Sequence, residues 1–346
     1  LPQVSVIIPH AGGDELLSRC LDALSATRGT SFETIIVDNG SPSPLSPTFA
    51  NRYHGVQILH YERQLGFAGA CNRGVEHAQS EYIFLLNNDA LVEPNTIALM
   101  ANRMESDPQV AACQPKILSL HNPGQFDYSS AAGGEMDRYG FPFAHGRLFD
   151  TVEEDHGQYN DPQPIFWGAG TALMIGRQLY LDTGGLEEMF FAHMEEIDLE
   201  WRLQLMGYKV MVYPEAVVHH QGGATIIGGS FQKAYLNHRN NLAMLLRNYG
   251  FSSLVIYLPL RIVFDEILLT ASFFTLNFKR IGAVSLAHLW VWFNLPQILK
   301  SRRLIQKQRA VPDSVILKRL YPGSVVWQYF IRKRRTWAEL PHRQPA

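Results

Sequence analysis

The chain has 346 residues, 46% hydrophobic and 18% charged, which is enough for two domains, or one with a long extension, around a sizeable core and excludes global disorder. Its three cysteines, Cys20, Cys71 and Cys113, are odd in number and lack metal or redox spacing, which argues against a disulfide framework or zinc site and fits a reducing compartment. The net charge of −2 hides an asymmetry: residues 1–278 carry 16 basic against 30 acidic residues, whereas residues 279–346 carry 14 basic residues with only Asp313 and Glu339 as acids.

The first apolar run, Val4 to Pro9, is short, β-branched and closed by proline, so it predicts a buried strand rather than a signal peptide. Residues 14–26 place Leu16, Leu17, Cys20, Leu21 and Leu24 on one side of a helix. Thr34 to Val37 predicts a second strand, stopped by Asp38-Asn39-Gly40-Ser41, and residues 42–48 hold three prolines and predict a loop. Val56 to His60 is a third strand. Residues 66–79 open with glycines and continue as a helix, and Tyr82 to Leu86 is a fourth strand ending at Asn87-Asn88-Asp89. Apolar strands alternating with helices predict a parallel sheet covered on both faces. Such sheets bind ligands beyond the carboxyl ends of their strands, where Asp38, Asp89 and the 66–74 glycines would all lie.

Residues 119–165, rich in Gly, Pro, Asp and Tyr, lack periodicity and predict a long functional loop. Trp167 to Ile175 predicts a glycine-broken strand, 194–206 a helix, and Val210–Tyr213 and Ala216–His219 the closing strands. Residues 231–248 suit a polar helix. Residues 251–278 are apolar but interrupted by Arg261, Asp265 and Glu266, and 281–299 contain no Asp, Glu, Lys or Arg. A membrane span needs about 20 predominantly apolar residues. These stretches therefore favour interfacial helices over spans, the alternative being helices buried in a homo-oligomer. The chain divides into a catalytic unit, 1–230, and a helical, apolar then basic extension, 231–346, which could anchor an otherwise acidic body to an anionic membrane surface.

Each candidate for chemistry has a plain structural alternative. Asp38, with Asn39, can accept hydrogen bonds from a nucleoside, or serve only as a turn. Gly66 to Gly74 leads into a helix whose N-terminus favours phosphate, with Asn72 and Arg73 as further donors. A single carboxylate, Asp89, after Asn88 meets what Mg²⁺ or Mn²⁺ on a diphosphate takes from protein, yet Asn and Asp also end strands routinely. Glu195-Glu196-Ile197-Asp198-Leu199-Glu200-Trp201-Arg202 is the most informative segment. A crowded carboxylate there, Glu195 or Glu196, has a raised pKa that suits proton abstraction. Alternatively the acids answer the helix dipole, and Asp198 with Arg202 forms an i,i+4 pair. Of His219 and His220, at most one serves a site at the strand end, because adjacent strand residues point opposite ways.

These segments occur in an order that resembles the family 2 glycosyltransferases, which have the GT-A fold. The resemblance covers roughly residues 3–250 and rests on Val4–Pro9, Val37–Ser41, Gly66–Gly74, Leu85–Asp89, Gly168–Ile175, Gly184–Phe191, Glu195–Arg202 and His220–Thr225. It implies that Asp38 contacts the nucleoside, that Asp89 ends the DXD motif and binds the metal–diphosphate, that Glu196 is the catalytic base and that His220 lies near the metal. Asn87 departs from the first Asp of that motif, and Glu196 stands where Asp is commoner. Within the family the chain is most similar to rhamnosyltransferase-like members that extend lipid-linked or cell-surface glycans, and the family inverts anomeric configuration.

The expectation is an inverting transferase that uses a nucleotide diphosphate-sugar, a divalent cation and a glycan or lipid-linked glycan acceptor. Trp167, Gly168 and Asp198 are assigned to the acceptor side, and the location is cytoplasmic, at the cytoplasmic face of the inner membrane. A nucleotidyltransferase would need a basic phosphate-activating loop, which Pro9-His10-Ala11-Gly12-Gly13 lacks. An inactive sugar- or lipid-binding scaffold would have no use for the acid pair. The basic tail lacks the aromatic interleaving of a specific nucleic-acid binder.

Overall fold

The computed structural model describes residues 2–46, 49, 52, 53, 55–129, 131–222 and 230–341. The N-terminal pattern folds as its periodicity dictates. Strands β1 (Val4–His10), β2 (Phe32–Asn39), β3 (Val56–Tyr61) and β4 (Tyr82–Leu86) alternate with α1 (Asp14–Ser25) and α2 (Gly66–His77). β5 (Ala90–Val92), α3 (Thr96–Ser106) and β6 (Val110–Ser119) follow. β12 (Ala172–Gly176), α4 (Arg177–Asp182), α5 (Glu195–Leu205) and β13 (Lys209–His220) complete the core.

The described residues form a nine-stranded sheet in the order β11 (Gln163–Ile165), β13, β6, β12, β4, β1, β2, β3, with β5 paired to β13. β3, β2, β1 and β4 are parallel, β12 runs against β4 and β6, and β13 is again parallel to β6. The sheet is thus mixed, and it is apolar on both faces. Val4, Val6 and Ile8 pack with α1 in one cluster, while Ile7, Ile35 and Val37 pack with α2 in another. That double burial is why these strands read as continuous apolar runs.

Three expectations change. Residues 119–165 are not one loop. They hold a small antiparallel sheet of β7 (Gly134–Met136), β8 (Pro142–Ala144), β9 (Arg147–Leu148) and β10 (Thr151–Val152), whose strands of two or three residues are too short to leave a period. The strand expected from Trp167 begins only at Ala172. Before it the indole of Trp167 covers Gly134, where a Cβ would collide with the ring. The two expected closing strands are one, β13, with a register shift between Tyr213 and Val217.

The C-terminal part is helical: α6 (Phe231–Asn248), α7 (Phe251–Phe274), α8 (Phe278–Phe293), α9 (Leu295–Gln308) and α10 (Asp313–Arg319). Ser230 caps α6 by accepting the Lys233 N–H. Met244, Leu245, Tyr249, Ile298, Ile305 and Ile316 join the same apolar cluster as Val4 and Phe84, so the extension shares the core of the sheet unit. Among the described residues no helix is long and apolar enough to cross a membrane.

Candidate active site

The carboxyl ends of β1, β2, β4 and β13 share one edge. Register sets His10 beside Asp38. Asp38 is the penultimate residue of β2 rather than the first of a turn, and it is fully buried. Its Oδ2 accepts the Leu45 N–H at 3.0 Å and pairs with His60 Nδ1 at 3.0 Å, while Oδ1 has no partner. Burial alone would raise its pKa, but the polar groups of Ser41, Leu45 and His60 outweigh it and hold Asp38 below the usual value. An ionised carboxylate with a spare acceptor atom suits a nucleoside N–H or hydroxyl.

Asn39 organises the next element. Its Oδ1 accepts the Leu65 N–H at 2.6 Å and its Nδ2 donates to the Gly66 carbonyl at 3.2 Å. Gly66 has φ +75°, and a Cβ there would strike the Phe191 carbonyl oxygen. That same oxygen accepts the Ala68 N–H at 3.3 Å, so the start of α2 is docked on the segment leading into α5. Asn72 and Arg73, expected as phosphate donors, are committed elsewhere. Asn72 bonds to Leu186 and Tyr180, and Arg73 pairs with Glu76 and Glu188. They sit roughly 9 Å along α2 from its first residue, so the helix carries them past the end that favours anions.

Asp89 and His220 meet because β5 pairs with the end of β13, placing His220 opposite Ala90. His220 Nε2 lies 3.2 Å from Asp89 Oδ1, and its Nδ1 lies 3.0 Å from Asp127 Oδ1. All three are buried. His219 points outward to Glu93 at 3.3 Å. Burial disfavours an imidazolium, but Asp127 and Asp89 outweigh it and push His220 up to about 10. Asp127 carries no local signal in the sequence. It lies in the aperiodic stretch after β6, and nothing local distinguishes it from a turn aspartate. Residues Gly223 to Thr225 of the His220–Thr225 motif lie outside the described residues.

The neighbouring amides brace this edge. Asn88 Nδ2 donates to the Gly12 carbonyl at 3.2 Å and lies 3.0 Å from His10 Nδ1, tying β1 to β4. The Asn87 N–H donates to the Thr171 carbonyl at 2.9 Å, and its side-chain amide lies 3.5 Å from His220 Nε2. Among the described residues no three His, Cys, Asp or Glu side chains form a ready-made metal cage. One carboxylate and one histidine ring converge instead, with an outer carboxylate fixing the other ring nitrogen, and a cation ligated by Nε2 would displace the proton that nitrogen carries. That donor set fits a divalent cation whose remaining ligands come from a diphosphate and water.

The acid pair begins α5. It is reached through Phe191, His193 and Met194, all at φ between +64° and +71°. Such left-handed non-glycine backbone costs on the order of 1–3 kcal/mol per residue and persists only when its surroundings hold it. The Asn240 side chain does so by donating to the carbonyls of Phe190, Ala192 and His193 at 2.8–2.9 Å. Arg239 Nη2 adds bonds to Met189 and Phe190. Neither residue carries a local sequence signal that marks it for the site. Glu196 Oε2 is buried without a partner, and burial raises its pKa to about 7 against the pull of backbone N–H groups, including that of Gly170. Glu195 is pushed well above the carboxylate range by burial and then by the charge of Glu196.

Trp167, Gly168 and Asp198, expected on the acceptor side, are instead buried in protein contacts. Trp167 Nε1 donates to the Glu135 carbonyl at 2.8 Å, and the Gly168 N–H donates to both oxygens of buried Glu200 at 2.8 Å. Asp198 Oδ2 pairs with Arg202 at 2.9 Å and Arg247 at 3.1 Å, and Oδ1 accepts from Asn248 at 2.7 Å. The i,i+4 spacing of Asp198 and Arg202 therefore reports a structural pair, knotted to α6.

Residues 5–159, which carry Asp38, Asp89 and Asp127, match the profile described as glycosyl transferase family 2. Over that segment the chain is similar to this family. A curated relative, the N-acetylglucosaminyl-diphospho-decaprenol L-rhamnosyltransferase of Mycobacterium tuberculosis, is 26% identical over 243 residues, 65% of this chain and 77% of the relative. The solved structure of GalNAc-T7 with UDP, GalNAc and Mn²⁺ superposes with a TM-score of 0.58 at 16% identity, covering 73% of this chain and 49% of that one. The mannosyltransferase PcManGT from Pyrobaculum calidifontis, in complex with GDP-Man and Mn²⁺, gives 0.51 at 17% identity over 92% of this chain and 87% of that one. The chain accordingly has the GT-A fold, and it is an enzyme of the glycosyltransferase type.

Proposed function

We propose that this enzyme moves a sugar, with rhamnose as the leading candidate, from a nucleotide diphosphate-sugar to a hydroxyl of a lipid-linked glycan with inversion at the anomeric carbon. One observation carries the reading. The Asp89–His220–Asp127 array and Glu196 are joined through backbone, Glu196 to Gly170 and neighbouring Thr171 to Asn87, which links a buried carboxylate–histidine array to a carboxylate with one unpartnered oxygen. The rhamnosyltransferase relative supports the choice of sugar and acceptor.

In this reading the spare Oδ1 of Asp38 receives the nucleoside, while Asp89 and His220 would hold a Mg²⁺ or Mn²⁺. Bound there, the cation would neutralise charge on the departing diphosphate. Asp127 keeps the His220 ring oriented through Nδ1. Glu196 takes the proton of the acceptor hydroxyl. That oxygen forms its bond to the anomeric carbon as the bond to the diphosphate oxygen breaks on the opposite face. Asn240 with Arg239 keeps the strained turn aimed. A lipid-linked acceptor puts the reaction at a membrane surface. Three buried free cysteines agree with its cytoplasmic side.

The test offers the purified chain a panel of nucleotide diphosphate-sugars with an N-acetylglucosaminyl-diphospho-polyprenol acceptor, with and without Mn²⁺. Metal-dependent rhamnosyl transfer that disappears in Glu196→Gln is the expected result. Undiminished transfer in that variant would overturn the assignment of the base, and transfer unaffected by chelator would overturn the cation site.

A further inference from the structure

Helix α7 is built inside out for a protein surrounded by water. Its buried positions are Ser253, Arg261, Asp265 and Ser272, all polar or charged. Val255, Ile256, Leu260, Val263 and Ile267 face outward, while Leu254, Tyr257, Leu258 and Phe264 pack on the body. On the hairpin formed by α7, the turn 275–277 and α8, Phe251, Phe273, Phe274, Phe278, Trp292 and Phe293 are each 62–79% exposed. A soluble helix turns its apolar stripe to the core, and monomeric proteins rarely leave so large an apolar surface uncovered.

The charged residues of the inward stripe are paired. Asp265 pairs with Arg261 on its own helix at 2.5 Å, with His238 of α6 at 3.0 Å and with His288 of α8 at 3.0 Å. Arg261 also lies over the Phe141 ring, 4.5 Å from its centroid. These polar contacts, with the Tyr257 and Phe264 rings, hold α7 to the protein and leave its outward apolar residues free to meet something else. The hairpin is also tied to the site, because Trp290 of α8 stacks on Arg239, which holds the turn before Glu195.

Charge identifies what covers this face. Residues 231–310 contain 11 Lys and Arg but only Asp265 and Glu266 as acids, and Asp265 is buried. Lys279 and Arg280, at the start of α8, are exposed beside Phe278, and Lys300, Arg303 and Lys307 are exposed on α9. A two-fold contact with a second copy would set the same basic surface against itself. An anionic bilayer complements it, with phenyl and indole groups entering the acyl boundary and the cations meeting phosphate headgroups. We propose that the α7–α8 hairpin is a monotopic membrane-docking surface that lies in one leaflet of an anionic bilayer. The proposal rests on the hairpin alone and does not require the donor or acceptor assigned above.

The test is flotation of the full chain with vesicles of equimolar phosphatidylcholine and phosphatidylglycerol, and with phosphatidylcholine alone. The chain should float with the mixed vesicles and far less with the neutral ones. A Phe274→Glu, Trp292→Glu double variant should lose partitioning on the order of a hundredfold while its melting temperature stays unchanged, because both side chains are exposed in the protein. Brominated lipids should quench tryptophan fluorescence, and Trp292→Phe should remove most of that quenching. No flotation of the parent chain would overturn the proposal, as would equal flotation of the double variant. So would a vesicle-free dimer, seen by sedimentation velocity, that the double variant dissociates, since the second copy would then cover the face. Flotation needs no catalysis, so its failure is distinct from a failure of the proposed transfer.

Discussion

The imidazole of His220 is held from behind by Asp127, whose Oδ1 lies 3.0 Å from Nδ1, so that Nε2 is aimed at Asp89. An outer carboxylate of this kind fixes the ring and typically contributes 10–100-fold to metal affinity. Asp127→Asn keeps the shape but removes the charge. It is expected to weaken Mn²⁺-dependent nucleoside diphosphate binding by about tenfold or more, measured by isothermal titration calorimetry. Unchanged affinity would show that Asp127 only packs the loop.

Glu196 should impose the rising limb of the pH profile. Burial lifts its pKa to about 7, so the carboxylate form needed to accept a proton is scarce below that pH and grows through it. kcat/KM is therefore expected to rise from about pH 6 to 8 and then level. Glu196→Gln should lower kcat by roughly 10²–10⁴-fold and leave donor binding near the parent value. A profile flat across neutrality would locate the base elsewhere.

Asn240 tests whether the strained turn matters to chemistry or only to folding. Asn240→Ala removes three bonds to the carbonyls that hold Phe191, His193 and Met194 in left-handed backbone. A stability loss of about 1–3 kcal/mol is expected in urea titration. At temperatures where the variant is folded, kcat should fall more than KM rises, because the turn aims Glu196. Parent kcat in the folded variant would make the turn a purely structural feature.

Asp198 separates a structural role from the acceptor role suggested by its place in the sequence. Its carboxylate neutralises two buried guanidinium groups, those of Arg202 and Arg247. Breaking such a buried network costs about 3–5 kcal/mol. Asp198→Asn should therefore lower the urea midpoint markedly while the acceptor KM of the remaining folded enzyme stays constant. A raised acceptor KM at unchanged stability would return Asp198 to the substrate.

The sheet was legible where its strands are apolar on both faces, as at Ile7, Ile36 and Phe84, because such runs have no other stable environment. The small β7–β10 sheet was not legible, since strands of two or three residues carry no period. Within the site, Asp38, Asp89 and the Glu195-Glu196 pair stood out because each follows a strand or opens a helix. Asp127 and Asn240 did not, because each acts on a partner about 50 to 90 residues away in sequence.

By itself the sequence determined which residues could carry chemistry and, through the alternation of strands and helices, that Asp38 and Asp89 end on one edge of one sheet. Only the tertiary structure decided which side chains are free to act. It turned His220 toward Asp89 and His219 toward Glu93, spent Asn72, Arg73, Trp167, Gly168 and Asp198 on protein contacts, and left Glu196 Oε2 unpartnered. The physical reason is that a hydrogen bond or ion pair is satisfied by whatever group folding brings within about 3 Å. Local sequence sets the direction of a side chain along its own element, and the long-range register of the sheet and helices sets what it meets.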